Sequence, residues 1–167
     1  PNSYKGTVKY VGLENISQNT GELVGVTNSL FEDIKSTKGV FEKDSILYGK
    51  LRPNLNKVWM TNCDGICSTD IFILKVKNQD INSYLYSKYF LSNDFNEEVL
   101  RGIKGAQLPR VGWSYFSKIK IPYIPLSIQD DIVLQLKEEE GAIESNRILI
   151  SRFENKIKKV IDYIWLM

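Results

Sequence analysis

The 167-residue chain contains no histidine. That absence excludes Ser-His-Asp and Cys-His nucleophile sets, imidazole proton transfer near neutral pH, and the mixed Cys/His ligand shells of many zinc sites. Cysteine is scarce as well, with Cys63 and Cys67 the two present. A disulfide across so short a loop is geometrically awkward, so free thiols in a reducing, cytoplasmic setting are expected, with no metal between them. No apolar run approaches the roughly 20 residues that cross a bilayer, and no membrane association is expected. Neither a Walker-type phosphate loop nor a dinucleotide-binding glycine motif occurs, so no cofactor is expected. The chain opens on Pro1 rather than Met and shows no charged-then-apolar leader, which suggests a piece of a longer chain or a trimmed one. What is there, 43% hydrophobic and 11% aromatic residues, suffices for one sizeable core with an appendage.

A further absence is local. The stretches Ser45–Cys63 and Val99–Gln129 contain no Asp or Glu, yet they hold eight of the 22 Lys and Arg residues. Because the whole chain is only +2, the rest of it is net negative and the positive charge is segregated. Segregated basic charge marks a surface for a polyanion, and double-stranded DNA is the expected partner.

Up to about Lys77 the pattern is one of short β-like runs, at Thr7–Leu13, Leu23–Thr27, Ser45–Tyr48, Lys57–Thr61 and Ile71–Val76. Asn19-Thr20-Gly21 and Asp64-Gly65 supply turns, because Asn, Asp and Gly tolerate the backbone angles of a tight reversal. From Asp80 the spacing of Ile81, Tyr84, Leu85 and Tyr89 predicts a helix, capped by Asp80 or Asn82. A second short helix is expected to be capped by Asn93 or Asp94 and to stop at Gly102. Beyond Pro122 and Pro125 a long helix is expected from about Ser127, with or without a break near Gly141. Leu136, Ile143, Ile150, Ile157 and Ile164 recur every seven residues, Phe153 and Val160 take the matching second positions, and Asn146 places an amide in the seam. A polar seam residue favours pairing with another helix over folding back, so a homodimer through these residues is expected. The fold class predicted is α+β: a compact β-rich recognition domain with short helices over 1–126, followed by a long coiled-coil helix over 127–167.

The segment GIKGAQLPR, Gly102–Arg110, is a glycine-punctuated basic loop. Lys104, Gln107 and Arg110 offer a cation, an amide fork and a guanidinium fork for close approach to a ligand. Its GxxG also occurs in the backbone clamp of KH domains, a weak signal without the surrounding fold. Asp33-Ile34-Lys35 and Glu154-Asn155-Lys156 match half of a metal-dependent nuclease site, but no Pro-Asp dipeptide accompanies them. Such triplets are expected by chance in a chain that is 25% charged, and no enzyme activity is expected.

Five segments occur in a fixed order: YVGLENIS (Tyr10–Ser17), DSILYGKLRPNLNKV (Asp44–Val58), GICSTDIFIL (Gly65–Leu74), GAQLPRVGW (Gly105–Trp113) and IKIPYIPLSIQDDIV (Ile119–Val133). Together they resemble one target recognition domain and one helical conserved region of a Type I restriction-modification specificity subunit. The resemblance implies a non-catalytic DNA-reading subunit that directs methyltransferase and restriction subunits to a split site. It implies also an antiparallel arrangement of the long helices. A full specificity subunit has two recognition domains and two such helices, and this chain has one of each. The recognition module of a fused Type IIG enzyme, or a coiled-coil module that binds an acidic protein, are the alternatives.

Within these segments Lys50, Arg52 and Lys57 can neutralise phosphates, while Asn54 and Asn56 present amides suited to adenine edges. Arg52 can instead fork onto guanine. Ser68 and Thr69, with Asp70, are placed to reach a base or a phosphate, or simply to cap a turn. Gln107 is the first candidate for base readout and Arg110 the second. Tyr48 and Trp59 are expected in the core, and Trp113, Tyr115 and Phe116 as a hydrophobic anchor. Glu14 and Asn15 are expected to serve the fold or a methyltransferase interface.

Overall fold

The computed structural model describes residues 6–30, 34, 36–104 and 108–165, with the backbone alone at Lys104. The chain divides into two compact units, Pro1–Leu126 and Ser127–Met167.

The first unit is built on two small sheets. One has the order β2-β1-β6-β3, from β1 (Thr7–Val11), β2 (Asn28–Leu30), β3 (Gly39–Phe41) and β6 (Gly65–Cys67). The other has the order β5-β4-β7, from β4 (Ile46–Gly49), β5 (Val58–Met60) and β7 (Ile71–Leu74). All pairs in them are antiparallel except β1 with β6, which run parallel through Tyr10↔Ile66 and Val11↔Cys67. Strand β4 is buried along its whole length, as a central strand with both faces covered must be. One of its faces carries Ile46 and Tyr48 into a core with Val58, Phe90, Phe95 and Phe116, under helices α1 (Ser83–Leu91), α2 (Asn93–Arg101) and α3 (Trp113–Phe116). The other face carries Leu47 into a second core with Val11, Ile16, Phe41 and Trp59. Tyr48 and Trp59 thus lie in the core, as the sequence led us to expect.

Several local expectations change. Leu23–Thr27 is not a strand. Leu23 makes one bridge to Ile16, Gly25 turns the chain at φ +72°, and the Asn15 amide holds the carbonyls of Val24 and Val26 at 3.2 Å each. Asn15 is itself buried and accepts the Gly12 N–H at 2.9 Å, so it serves the fold. Helix α1 is capped by Asn82, but the cap of α2 is Ser92 rather than Asn93 or Asp94, its hydroxyl accepting the Phe95 N–H. Cys63 and Cys67 are free thiols, and burial pushes the Cys67 thiol up to about 11, against the pull of Lys38 and Lys50.

Gly65 is where the first sheet tolerates least. It lies buried in β6 between β1 and β3, and a Cβ there would stand 2.6 Å from both the Lys9 carbonyl oxygen and Phe41 Cζ. One of those atoms is backbone in a paired strand and cannot swing aside. Gly65→Ala is expected to destabilise the fold by about 2–3 kcal/mol, read as a shift of the urea midpoint at unchanged slope.

The second unit is a single helix, α4 (Leu126–Trp165), unbroken through Gly141. At 1.5 Å per residue its 40 residues span about 60 Å. Ile143, Ile150, Phe153, Ile157, Val160 and Ile164 are each more than half exposed, Leu136 is half-buried, and Asn146 lies exposed among them. No helix among the described residues is long and apolar enough to cross a membrane.

Candidate nucleic-acid interface

The backbone itself joins the two acid-free stretches. Lys50, Leu51 and Arg52 leave the end of β4 and run alongside β9 (Arg110–Val111), which pairs in a hairpin with β8 (Ile103–Lys104). The Arg52 N–H donates to the Pro109 carbonyl at 2.8 Å and the Val111 N–H to the Lys50 carbonyl at 3.1 Å, with Leu51 facing Arg110 between them. A third segment closes the group, since the Lys50 N–H donates to the Asp70 carbonyl at 2.9 Å. Lys50, Arg52, Asp70 and Arg110 therefore share one seam, although up to 60 positions separate them in the chain.

Arg52 and Arg110 are exposed and Lys50 is half-buried. Lys50 lays its ammonium over the Phe72 ring, 5.2 Å from the centroid, which fixes the stem and leaves the charge at the rim. Arg52 sits at φ 50°, ψ 57°, a left-handed conformation unusual for a residue with a Cβ. It caps a 3-10 turn, Pro53–Leu55, whose far end, Asn56, is left-handed as well. The guanidinium of Arg110 meets the carboxylate of Asp70, Nη2 to Oδ1, at 3.1 Å.

The remaining candidates divide. Asn54 and Thr69 are exposed near this seam. Ser68 caps its own turn, its hydroxyl accepting the Asp70 N–H at 3.2 Å. Asn56 is corrected: it is only 1% exposed and gives its amide N–H to the Leu91 carbonyl at 2.8 Å, so its side chain holds the turn to α1 and no base can reach it. Lys57 is corrected as well, because its ammonium reaches inward to the Leu13 carbonyl at 2.6 Å. Gln107 and the side chain of Lys104 lie outside the described residues, as do Asp33 and Lys35. Gly102 offers no open clamp, since it is buried at the end of α2 and a Cβ there would strike the Tyr115 ring at 2.1 Å. Among the described residues no cluster of acidic or thiol side chains could hold a metal ion.

Two residues gain importance from the structure. Asp70 is the acid inside the basic seam. Trp113, expected as an anchor, is 56% exposed and ends a chain of rings that runs out of the core: Tyr48 to Phe116 at 4.8 Å, Phe116 to Phe72 at 5.1 Å, Phe72 to Trp113 at 5.3 Å. Phe72 carries Lys50 on its ring as well, which places the exposed indole beside the cationic rim. Tyr115 and Phe116 do anchor α3, Phe116 in the core and Tyr115 through its hydroxyl, which donates to Glu98 at 3.1 Å.

A family model described as the Type I restriction modification DNA specificity domain matches residues 2–155. The chain belongs to that family. The specificity domain is 28% identical over 138 residues to the Type I restriction enzyme EcoDI specificity subunit of Escherichia coli, covering 83% of this chain and 30% of that protein. Its fold matches the crystal structure of the HsdS subunit from Thermoanaerobacter tengcongensis, with TM-score 0.73 at 20% identity, over 87% of this chain and 38% of the other. It matches equally a chain from a structure concerned with complex assembly and conformational transition of the type I R-M system, with TM-score 0.73 at 19% identity and the same coverage. The specificity domain therefore spans about a third of the length of these relatives. The family resemblance carried by the five ordered segments is confirmed, and so is the α+β class with its long C-terminal helix.

Proposed function

We propose that the first unit is a non-catalytic DNA-reading module of a Type I restriction-modification system, acting in the cytoplasm. It reads one part of a split target for methyltransferase and restriction subunits. The observation that supports this reading most directly is the main-chain seam that brings Lys50 and Arg52 from one acid-free stretch against Arg110 from the other. Cations on such a rim position the phosphates, and the edge of the Arg110 fork that Asp70 does not hold can read a base edge.

The long helix is the assembly element of the same reading. Its apolar seam needs cover, and its charge is asymmetric: Asp130, Asp131, Glu138, Glu139, Glu140 and Glu144 outweigh Lys137 in the first half, and Arg147, Arg152, Lys156, Lys158 and Lys159 outweigh Glu154 and Asp162 in the second. Two copies laid antiparallel set acidic half on basic half, whereas parallel copies set like on like. A homodimer through Leu136, Ile143, Asn146, Ile150, Phe153, Ile157, Val160 and Ile164 then carries one recognition unit at each end.

Retardation of pooled random duplexes over a salt series tests the DNA reading. The expected result is a log affinity that falls linearly with log salt, with a slope of about 0.9 per phosphate contact. Absence of binding at low salt, or tighter binding to an acidic polypeptide than to duplex, would overturn it in favour of a protein partner.

A further inference from the structure

An acid on a phosphate-facing rim is a cost unless it does something there. Asp70 repels the DNA backbone wherever it sits in this seam, yet the fold holds it firmly. Its N–H is bound by the Ser68 hydroxyl at 3.2 Å, its carbonyl by the Lys50 N–H at 2.9 Å, and its carboxylate is one-quarter exposed. Arg110 is held with equal firmness at its main chain, between Leu51 on one side and Ile103–Lys104 on the other. Its side chain is about half exposed, and one terminal nitrogen meets Asp70 at 3.1 Å. A guanidinium has five N–H donors in a rigid fork, so a single contact at Nη2 fixes its orientation and leaves the other edge for a ligand.

We propose that Asp70 is a positioning residue for base readout, which locks the Arg110 guanidinium so that its free edge meets a guanine in the major groove. The proposal rests on the DNA-reading function above. A flexible arginine on this rim would gain as much from a phosphate as from a base. One held by a carboxylate has less charge to offer a phosphate and a fixed fork to offer guanine O6 and N7. Asp70 thus exchanges affinity for every sequence against preference for one.

The two roles of a carboxylate at this place have opposite signs, which makes the test decisive. Asp70→Asn removes a repulsion, so binding to pooled random duplexes should hold or strengthen. Selection of duplexes from the same random pool should meanwhile yield a consensus in which one G·C position has lost its preference by about ten-fold. Arg110→Lys keeps the charge and loses the fork. It should lose the same preference without the gain in affinity, and the double variant should lose no more than either single one. An unchanged consensus and preference in Asp70→Asn would overturn the positioning role and leave DNA reading intact. Failure of the unmutated chain to select any consensus would overturn both.

Discussion

Replacing Lys50, Arg52 and Arg110 together by Gln will weaken binding to pooled random duplexes by up to about 500-fold at 0.1 M salt, and will flatten the salt dependence by up to about 2.7 in slope. The expectation follows from counterion release, in which each phosphate contact contributes about 0.9 to the slope and is worth close to ten-fold at this salt. The three residues lie on one seam, so they meet one duplex at once and their losses add. Arg110 shares its charge with Asp70, which sets the slope change as an upper value; a shortfall of about one unit at that residue would mean it contacts no phosphate. Lys77→Gln, exposed and outside both acid-free stretches, serves as the control and should leave the slope unchanged. If the triple variant keeps the full slope, the DNA-facing surface lies elsewhere.

The choice of Arg52 over Lys57 for that experiment shows where sequence reading ran out. Both are cations in one nine-residue segment, and spacing does not distinguish them. What separates them is a 3-10 turn flanked by two left-handed residues, which turns Arg52 out and sends Lys57 to the Leu13 carbonyl. Asn56 failed for a related reason: an amide suits adenine and a buried carbonyl equally, and here the carbonyl of Leu91 has it. The basic character of the two stretches was legible because charge depletion survives any folding. Their meeting was not, because it depends on non-local bonds between positions 52 and 109 and between 50 and 111. The sequence offers Asp70, with Ser68 and Thr69, as a group able to reach a base or a phosphate, but its pairing with Arg110 was not legible, because that contact joins segments 40 positions apart.

The same contrast holds for the fold. Helix α1 was visible through its helical spacing, α2 through its capping region and Gly102, α4 through its seven-residue repeat, and β4 and β7 through β-branched and aromatic runs. Strands β2, β3 and β6 have only three residues each and include Asn, Ser and Gly, too short and too polar for a periodic signal. The parallel pairing of β1 with β6 brings together segments more than 50 residues apart, and no local pattern encodes it. Asn15 was ambiguous for the opposite reason. Its side chain does what a strand partner would do, satisfying the carbonyls of Val24 and Val26 and so removing the need for a strand at that place.

The largest effect is expected on the long helix. Ile150→Asp combined with Ile157→Asp should convert a dimer into a monomer at micromolar concentration, because each copy would bring two carboxylates into an apolar seam at several kcal/mol apiece, about 10³-fold or more in dissociation constant. The register of the antiparallel pair follows from the charges that flank the seam. Centring the two-fold between positions 151 and 152 sets Ile150 against Phe153 of the second copy and Ile143 against Val160, and it lays Arg147 beside Glu154. Sliding by one heptad in either direction instead sets Arg147 on Arg147 or Glu154 on Glu154. Within its own helix Arg147 lies 3.9 Å from Glu144, a loose pair that a closer carboxylate across the seam can replace. Arg147→Glu and Glu154→Arg should each weaken the dimer several-fold, and the two together should restore it. Light scattering decides both parts. A monomer for the unmutated chain would mean that the helix takes its partner from elsewhere in a longer protein, and a dimer that tightens with the neutral Arg147→Gln would mean that the register brings Arg147 onto itself.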